Sequence, residues 1–146
     1  MNPESVFSIV NLTALLSWTM LIVLPRRGWV AGVFAGLGVP AILAALYVAL
    51  IVTNWSTSPG GFSTLASVGQ LFANPWMLLA GWVHYLCFDL LIGFWEVRDA
   101  QRHQIPHAVV VPCLLLTFMF GPAGWLLYRA VRLRFSRPTG TAEVGF

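Results

Sequence analysis

A chain of 146 residues that is 58% hydrophobic and 9% charged, with a mean hydropathy of +0.79, lies outside the composition of soluble domains and reads as an all-α integral membrane protein. Four spans of about 20 residues with short connections use nearly the whole length, which excludes a second, soluble domain. The net charge of +3 contains no lysine, and the arginines flank apolar runs as interfacial anchors do, which excludes a nucleic-acid partner.

In chain order, the first run, SVFSIVNLTALLSWTMLIVLP, has no basic segment before it and no small-residue cleavage site after it. It is expected as a retained helix over about 5–24, ended by Pro25, Arg26 and Arg27. The second run predicts a helix over about 29–52, in which Gly32, Gly36, Pro40 and Ala44 fall four apart. Such a small-residue face suits close helix association, so Gly32 and Gly36 are the candidate contacts for an oligomer or a partner enzyme. Residues 53–74 carry no charge, and Phe62, Leu65, Gly69 and Phe72 recur at helical spacing, which predicts an interfacial helix over 62–73.

Asn74 followed by Pro75 is a helix start, an N-cap with proline at the first helical position. The helix predicted there runs over 75–100. The last run, HAVVVPCLLLTFMFGPAGWLLYRAVRLRF, predicts helix over 107–133 but is interrupted by Gly121 and Pro122. Residues 1–135 thus form one transmembrane domain, a four-helix bundle, with a disordered tail at 136–146. If all four runs span, four arginines lie on each side and the positive-inside rule decides nothing. If the last run is a re-entrant hairpin turning at Gly121–Pro122, all eight lie on one side. Four spans are the preferred reading, because lipid-exposed turns at membrane depth are disfavoured.

The third run carries the polar constellation. Asp89 sits about 14 residues into it, where a carboxylate exposed to lipid costs roughly 2.5–3.5 kcal/mol on insertion scales. At about 100° per residue, Tyr85, Asp89 and Glu96 share a stripe, with Asp99 and His103 near its extension, and His84 lies about 140° from Asp89. His84 and Asp89 are acid/base candidates, and Asn11, Tyr47 and Thr117 are candidate intramembrane partners. His107 is placed to fold back toward Asp99 or Glu96. Glu96, Arg98, Asp99 and Arg102 also fit a solvated helix end with ion pairs. The stripe is too long for one metal ion, so no metal is expected. Asn11, Tyr85 and Glu96 are the candidate ligand-binding residues.

The string W-V-H-Y-L-x-F-D-L-x-x-G at 82–93, then D-A at 99–100, I-P-H at 105–107 and P-C-L-L-L-T-F-x-F-G-P-A-G-x-L-L-Y at 112–128 resembles the abscisic-acid-deficient, neoxanthin-synthase-like membrane family. The resemblance runs from Phe7 to about Leu133. Plant members are chloroplast proteins needed to make neoxanthin. The resemblance implies His84, Asp89, Asp99 and His107 as the catalytic set. It also implies a carotenoid or related isoprenoid lipid as ligand, and epoxide isomerisation by an acid and a base without a redox cofactor. The arginine-only basic set, the short loops and the lack of a transit peptide fit a multi-pass protein of a bacterial cytoplasmic membrane. A non-enzymatic accessory that organises lipid or a partner enzyme is the alternative, and a proton conductor the third reading.

Overall fold

The computed structural model describes residues 2–25, 27 and 38–135. These form six α-helices: α1 (Pro3–Val23), α2 (Val39–Asn54, continued by a 3-10 turn at Trp55–Thr57), α3 (Leu65–Phe72), α4 (Pro75–Arg102), α5 (His107–Phe120) and α6 (Pro122–Phe135). Gly32, Gly36, Arg26, Trp29 and the tail at 136–146 lie outside the described residues.

Caps fix the helix starts. The Asn2 side chain accepts from the Ser5 N–H at 2.9 Å ahead of Pro3. Thr64 accepts from the Ser67 N–H at 3.1 Å. The predicted start of α4 holds: Asn74 Oδ1 accepts from the Trp76 N–H at 2.9 Å, and Pro75 supplies a first position that needs no donor.

α4 is the central helix, against which α1, α2, α3 and the α5–α6 pair all pack. α1 runs parallel to it, Asn11 meeting Trp82, Trp18 lying on Gly93 and Pro25 meeting Gln101. α2 runs the other way, with Cys87 beside Pro40 and Asn74 reaching Ser58 just beyond its end. Gly93 is required by this packing, because a Cβ there would stand 2.4 Å from the Trp18 ring.

Three helices, α1, α2 with its 3-10 extension, and α4, are long and apolar enough to cross a membrane. Their outward residues, among them Leu12, Leu15, Leu16, Ile42, Val52 and Phe88, stay exposed. α3 buries Leu71 and leaves its predicted apolar stripe outside, Leu65 being 88% exposed. Phe62 precedes the helix and packs on Trp55.

The last run does not form one long helix. Gly121 takes φ +35° and breaks it into α5 and α6. Arg132 then lies 2.8 Å from Asp99 and 2.9 Å from His103, at the end of α4 where α5 begins. A continuous helix from His107 would instead carry Arg132 about 37 Å away. The single helix expected over 107–133 is thus two helices folded back on one another at Gly121. The turn is not lipid-exposed, since Gly121 is buried against α4.

Candidate functional site

The face of α4 that meets the hairpin carries three carboxyls that are almost fully buried: Asp89 (6% exposed), Glu96 (0%) and Asp99 (7%). Seven residues after Asp89 return to within about 20° of its azimuth on a helix and ten to about 80° from it, so the three form a ladder, two turns and then about one turn apart, that winds slowly around α4. Each rung has a hydroxyl. Tyr85, one turn before Asp89, is its hydroxyl-bearing neighbour. The Thr117 hydroxyl sits 3.0 and 3.2 Å from the two Glu96 oxygens, and the Tyr128 hydroxyl donates to Asp99 Oδ2 at 2.7 Å.

The rungs differ in their charge partners. Asp99 is ion-paired with the Arg132 guanidinium at 2.8 Å. His103 Nδ1 lies 2.8 Å from the Asp99 carbonyl and its Nε2 lies 2.9 Å from an Arg132 nitrogen. Nδ1 must donate to the carbonyl and Nε2 must accept from the guanidinium, so the network selects the Nδ1–H tautomer. No cation faces Asp89 or Glu96 at comparable range among the described residues. Asp89 Oδ2 is buried without a hydrogen-bond partner, a condition that in a folded protein calls for an explanation.

Asp89 is held at the hairpin turn. A Cβ at Gly121 would lie 2.7 Å from its Oδ1, so only glycine gives the turn this close approach. The adjoining N-terminus of α6 favours negative charge there. On the other side, Tyr85 forms the inner end of an apolar groove of about 570 Å³ between α1, α3 and α4, lined also by Phe7, Phe72, Leu78 and Trp82. The Tyr85 ring stacks on Trp82 at 5.5 Å, and its hydroxyl donates to the Met119 carbonyl at 3.3 Å. Trp82 is oriented by donating its indole N–H to Asn11 at 2.8 Å.

The predicted stripe of Tyr85, Asp89, Glu96, Asp99 and His103 is thus one continuous face, but several assignments around it change. His84 does not share a cavity with Asp89; its ring packs on Tyr47 and Phe88 at 5.3 and 4.7 Å, on the α2 side. His107 does not turn back to Asp99 or Glu96, because its Nε2 donates to the Ile22 carbonyl at 2.8 Å and ties α5 to the end of α1. Asn11 meets Trp82 rather than Asp89, and Thr117 meets Glu96. Glu96 and Asp99 are not part of a solvated helix end, although Arg98 and Arg102 are exposed. Among the described residues no three His, Cys, Asp or Glu side chains converge on a point where a metal would bind.

Sequence reasoning missed Tyr128, Arg132 and the role of Gly121. The signal was present: Gly121, Gly124, Tyr128 and Arg132 recur at helical spacing, and they form the inward side of the hairpin, Gly121, Tyr128 and Arg132 meeting α4 and Gly124 meeting α5. Gly124 allows the hairpin to close, since a Cβ there would meet the Thr117 backbone at 2.1 Å.

Fold and site together define an all-helical chain with, among the described residues, three membrane-length helices and a buried carboxyl ladder clasped by a helical hairpin. The chain belongs to the ABA4-like (ABA DEFICIENT 4-like) family, whose model matches residues 5–128. It is similar to the chloroplastic protein ABA DEFICIENT 4 of Arabidopsis thaliana, 28% identical over 131 residues. The match covers 83% of this chain and 57% of that protein, so the chain spans little more than half of its relative's length. No solved structure matches.

Proposed function

We propose that this protein binds a carotenoid or related isoprenoid lipid in the groove between α1, α3 and α4 and acts on it through Asp89 and Tyr85. The observation that carries the reading is Asp89 Oδ2, a buried acceptor without a partner, one turn from Tyr85, which lines the groove. The groove is lined mainly by apolar and aromatic side chains, with Glu4 and Tyr85 as its polar groups, which fits a long hydrocarbon with oxygenated rings. For a 5,6-epoxide substrate, an acid gives a proton to the epoxide oxygen as the C–O bond breaks, and a base removes a proton from the adjoining carbon. The product is an allene bearing a hydroxyl, an isomer of the substrate, so no electrons enter or leave. Asp89 and the Tyr85 hydroxyl are adjacent groups able to share these transfers, and family membership supports this class of ligand.

The same reading makes the protein multi-pass, with α1, α2 and α4 crossing the bilayer and α5–α6 entering and leaving on one side. That arrangement shields the Gly121 turn inside protein. It also gathers Arg27, Arg98, Arg102, Arg132 and Arg134 at the end where α4 finishes, which the positive-inside rule makes the cytoplasmic one.

The test is expression in a bacterial host that makes violaxanthin, with pigments separated by liquid chromatography and mass spectrometry. The parent chain is expected to yield neoxanthin and Asp89→Asn to yield none. A carotenoid that co-purifies without being converted would leave a binding role and remove the catalytic one, whereas unaltered conversion by Asp89→Asn would remove Asp89 from the chemistry.

A further inference from the structure

The groove leaves Glu96, Asp99, Thr117 and Tyr128 without a role, yet they continue the stripe that begins at Asp89. We infer that the carboxyl ladder is a proton relay joining Asp89 to the water at the arginine-bearing end of the molecule. This inference rests on the assignment of Asp89 as a proton-transfer group.

The relay opens at His103 and Arg132, whose side chains are partly exposed, and continues inward to Asp99, which they contact. Tyr128 donates to Asp99 from α6, and Glu96 is the next carboxyl inward, about one turn away along α4. The Thr117 hydroxyl then lies against both Glu96 oxygens from α5. Hydroxyls suit this arrangement because each accepts one proton while releasing another and ends unchanged. Carboxyls used only as interhelical glue would be replaceable by Asn or Gln, which avoid the cost of burying an ionisable group.

The wide step is from Glu96 to Asp89, about 10 Å along the helix axis before the two side chains shorten it. Gly93 lies in that interval, and the Trp18 ring from α1 rests on it. Trp18 Nε1 is buried without a partner, as is Asp89 Oδ2. Buried polar atoms left unpaired are the kind a buried water satisfies, and the relay requires water in this interval to carry the proton from Glu96 to Asp89. The net change is one proton leaving the water at the arginine end and one proton added to the Asp89 carboxylate.

The experiment uses the full chain in phospholipid vesicles and dicyclohexylcarbodiimide, which reacts with a protonated carboxyl and leaves an N-acylurea located by peptide mass spectrometry. Vesicle orientation is read from external thiol labelling of Arg134→Cys, the native Cys87 and Cys113 being buried. A pH step on the arginine side is expected to change the rate of Asp89 labelling, and the same step on the other side to leave it unaltered. In Glu96→Gln, which keeps an oxygen for Thr117 and adds no charge, the response to the arginine-side step is expected to slow at least about tenfold, with partial recovery in Glu96→Asp. Thr117→Val breaks the same rung from the hairpin and is expected to slow it likewise.

Asp89 labelling that follows the groove side, or a response in Glu96→Gln and Thr117→Val equal to that of the parent chain, overturns the relay. No carotenoid is needed for the labelling. Its failure leaves the pigment assay to judge the groove, and failure of the pigment assay leaves the labelling to judge the relay.

Discussion

Two glycines and one tyrosine decide whether Asp89 can be used. Gly121 combines a left-handed φ with an approach that a Cβ would block at 2.7 Å from the Asp89 carboxyl. Gly121→Ala is therefore expected to destabilise the protein by about 1–3 kcal/mol, seen as a lower Tm in detergent, and to reduce any Asp89-dependent conversion further than stability alone explains. Gly93→Ala presses on Trp18 instead and is expected to lower the Tm without the positive-φ penalty. Tyr85→Phe keeps the stacking on Trp82 and removes the hydroxyl beside Asp89. Under the proposed chemistry it retains ligand binding and loses conversion, a split read by comparing co-purified pigment with product formed.

At the scale of elements, the α5–α6 hairpin is held to α4 at three levels, by the turn at Asp89, by Thr117 on Glu96, and by Tyr128 and Arg132 on Asp99. The outermost level contains the ion pair. Arg132→Met would leave Asp99 with a tyrosine hydroxyl but no cation, at an expected cost on the order of 2 kcal/mol, below the fully buried range because the Arg132 side chain is partly exposed. The double variant Arg132→Met with Asp99→Asn should recover most of that loss, and a thermal-unfolding double-mutant cycle measures the coupling. His84→Ala is expected to leave conversion unchanged, because the ring packs with Tyr47 and Phe88 on the α2 side.

For the whole molecule, the proposed topology, in which the hairpin enters and leaves on one side, removes the four-against-four tie of arginines. Cysteines placed at Arg27, Arg134 and Glu4 give a direct reading in intact cells or oriented vesicles. Positions 27 and 134 are expected to take an impermeant thiol reagent from the same side and position 4 from the opposite side, with little background from buried Cys87 and Cys113. Labelling of 134 with 4 would restore a fourth crossing. The uncovered leucines and valines of α1 and α2 fit the proposed placement, because an apolar outer face needs an apolar surround.

Local rules made much of this chain legible from its residues alone. Helix starts at Asn74–Pro75, the all-helical class, the membrane-length runs and the stripe from Tyr85 to His103 depend on caps, composition and the 3.6-residue period, which neighbouring positions carry. What faces that stripe does not follow from local spacing. Glu96 and Asp99 read equally well as solvated or buried until the hairpin covers them, and His84 and His107 gain their partners from α2 and α1. The choice between one long helix and a hairpin at Gly121–Pro122 was likewise tertiary. Lipid exposure disfavours a turn at membrane depth, and only the packing of α4 against Gly121 removes that exposure.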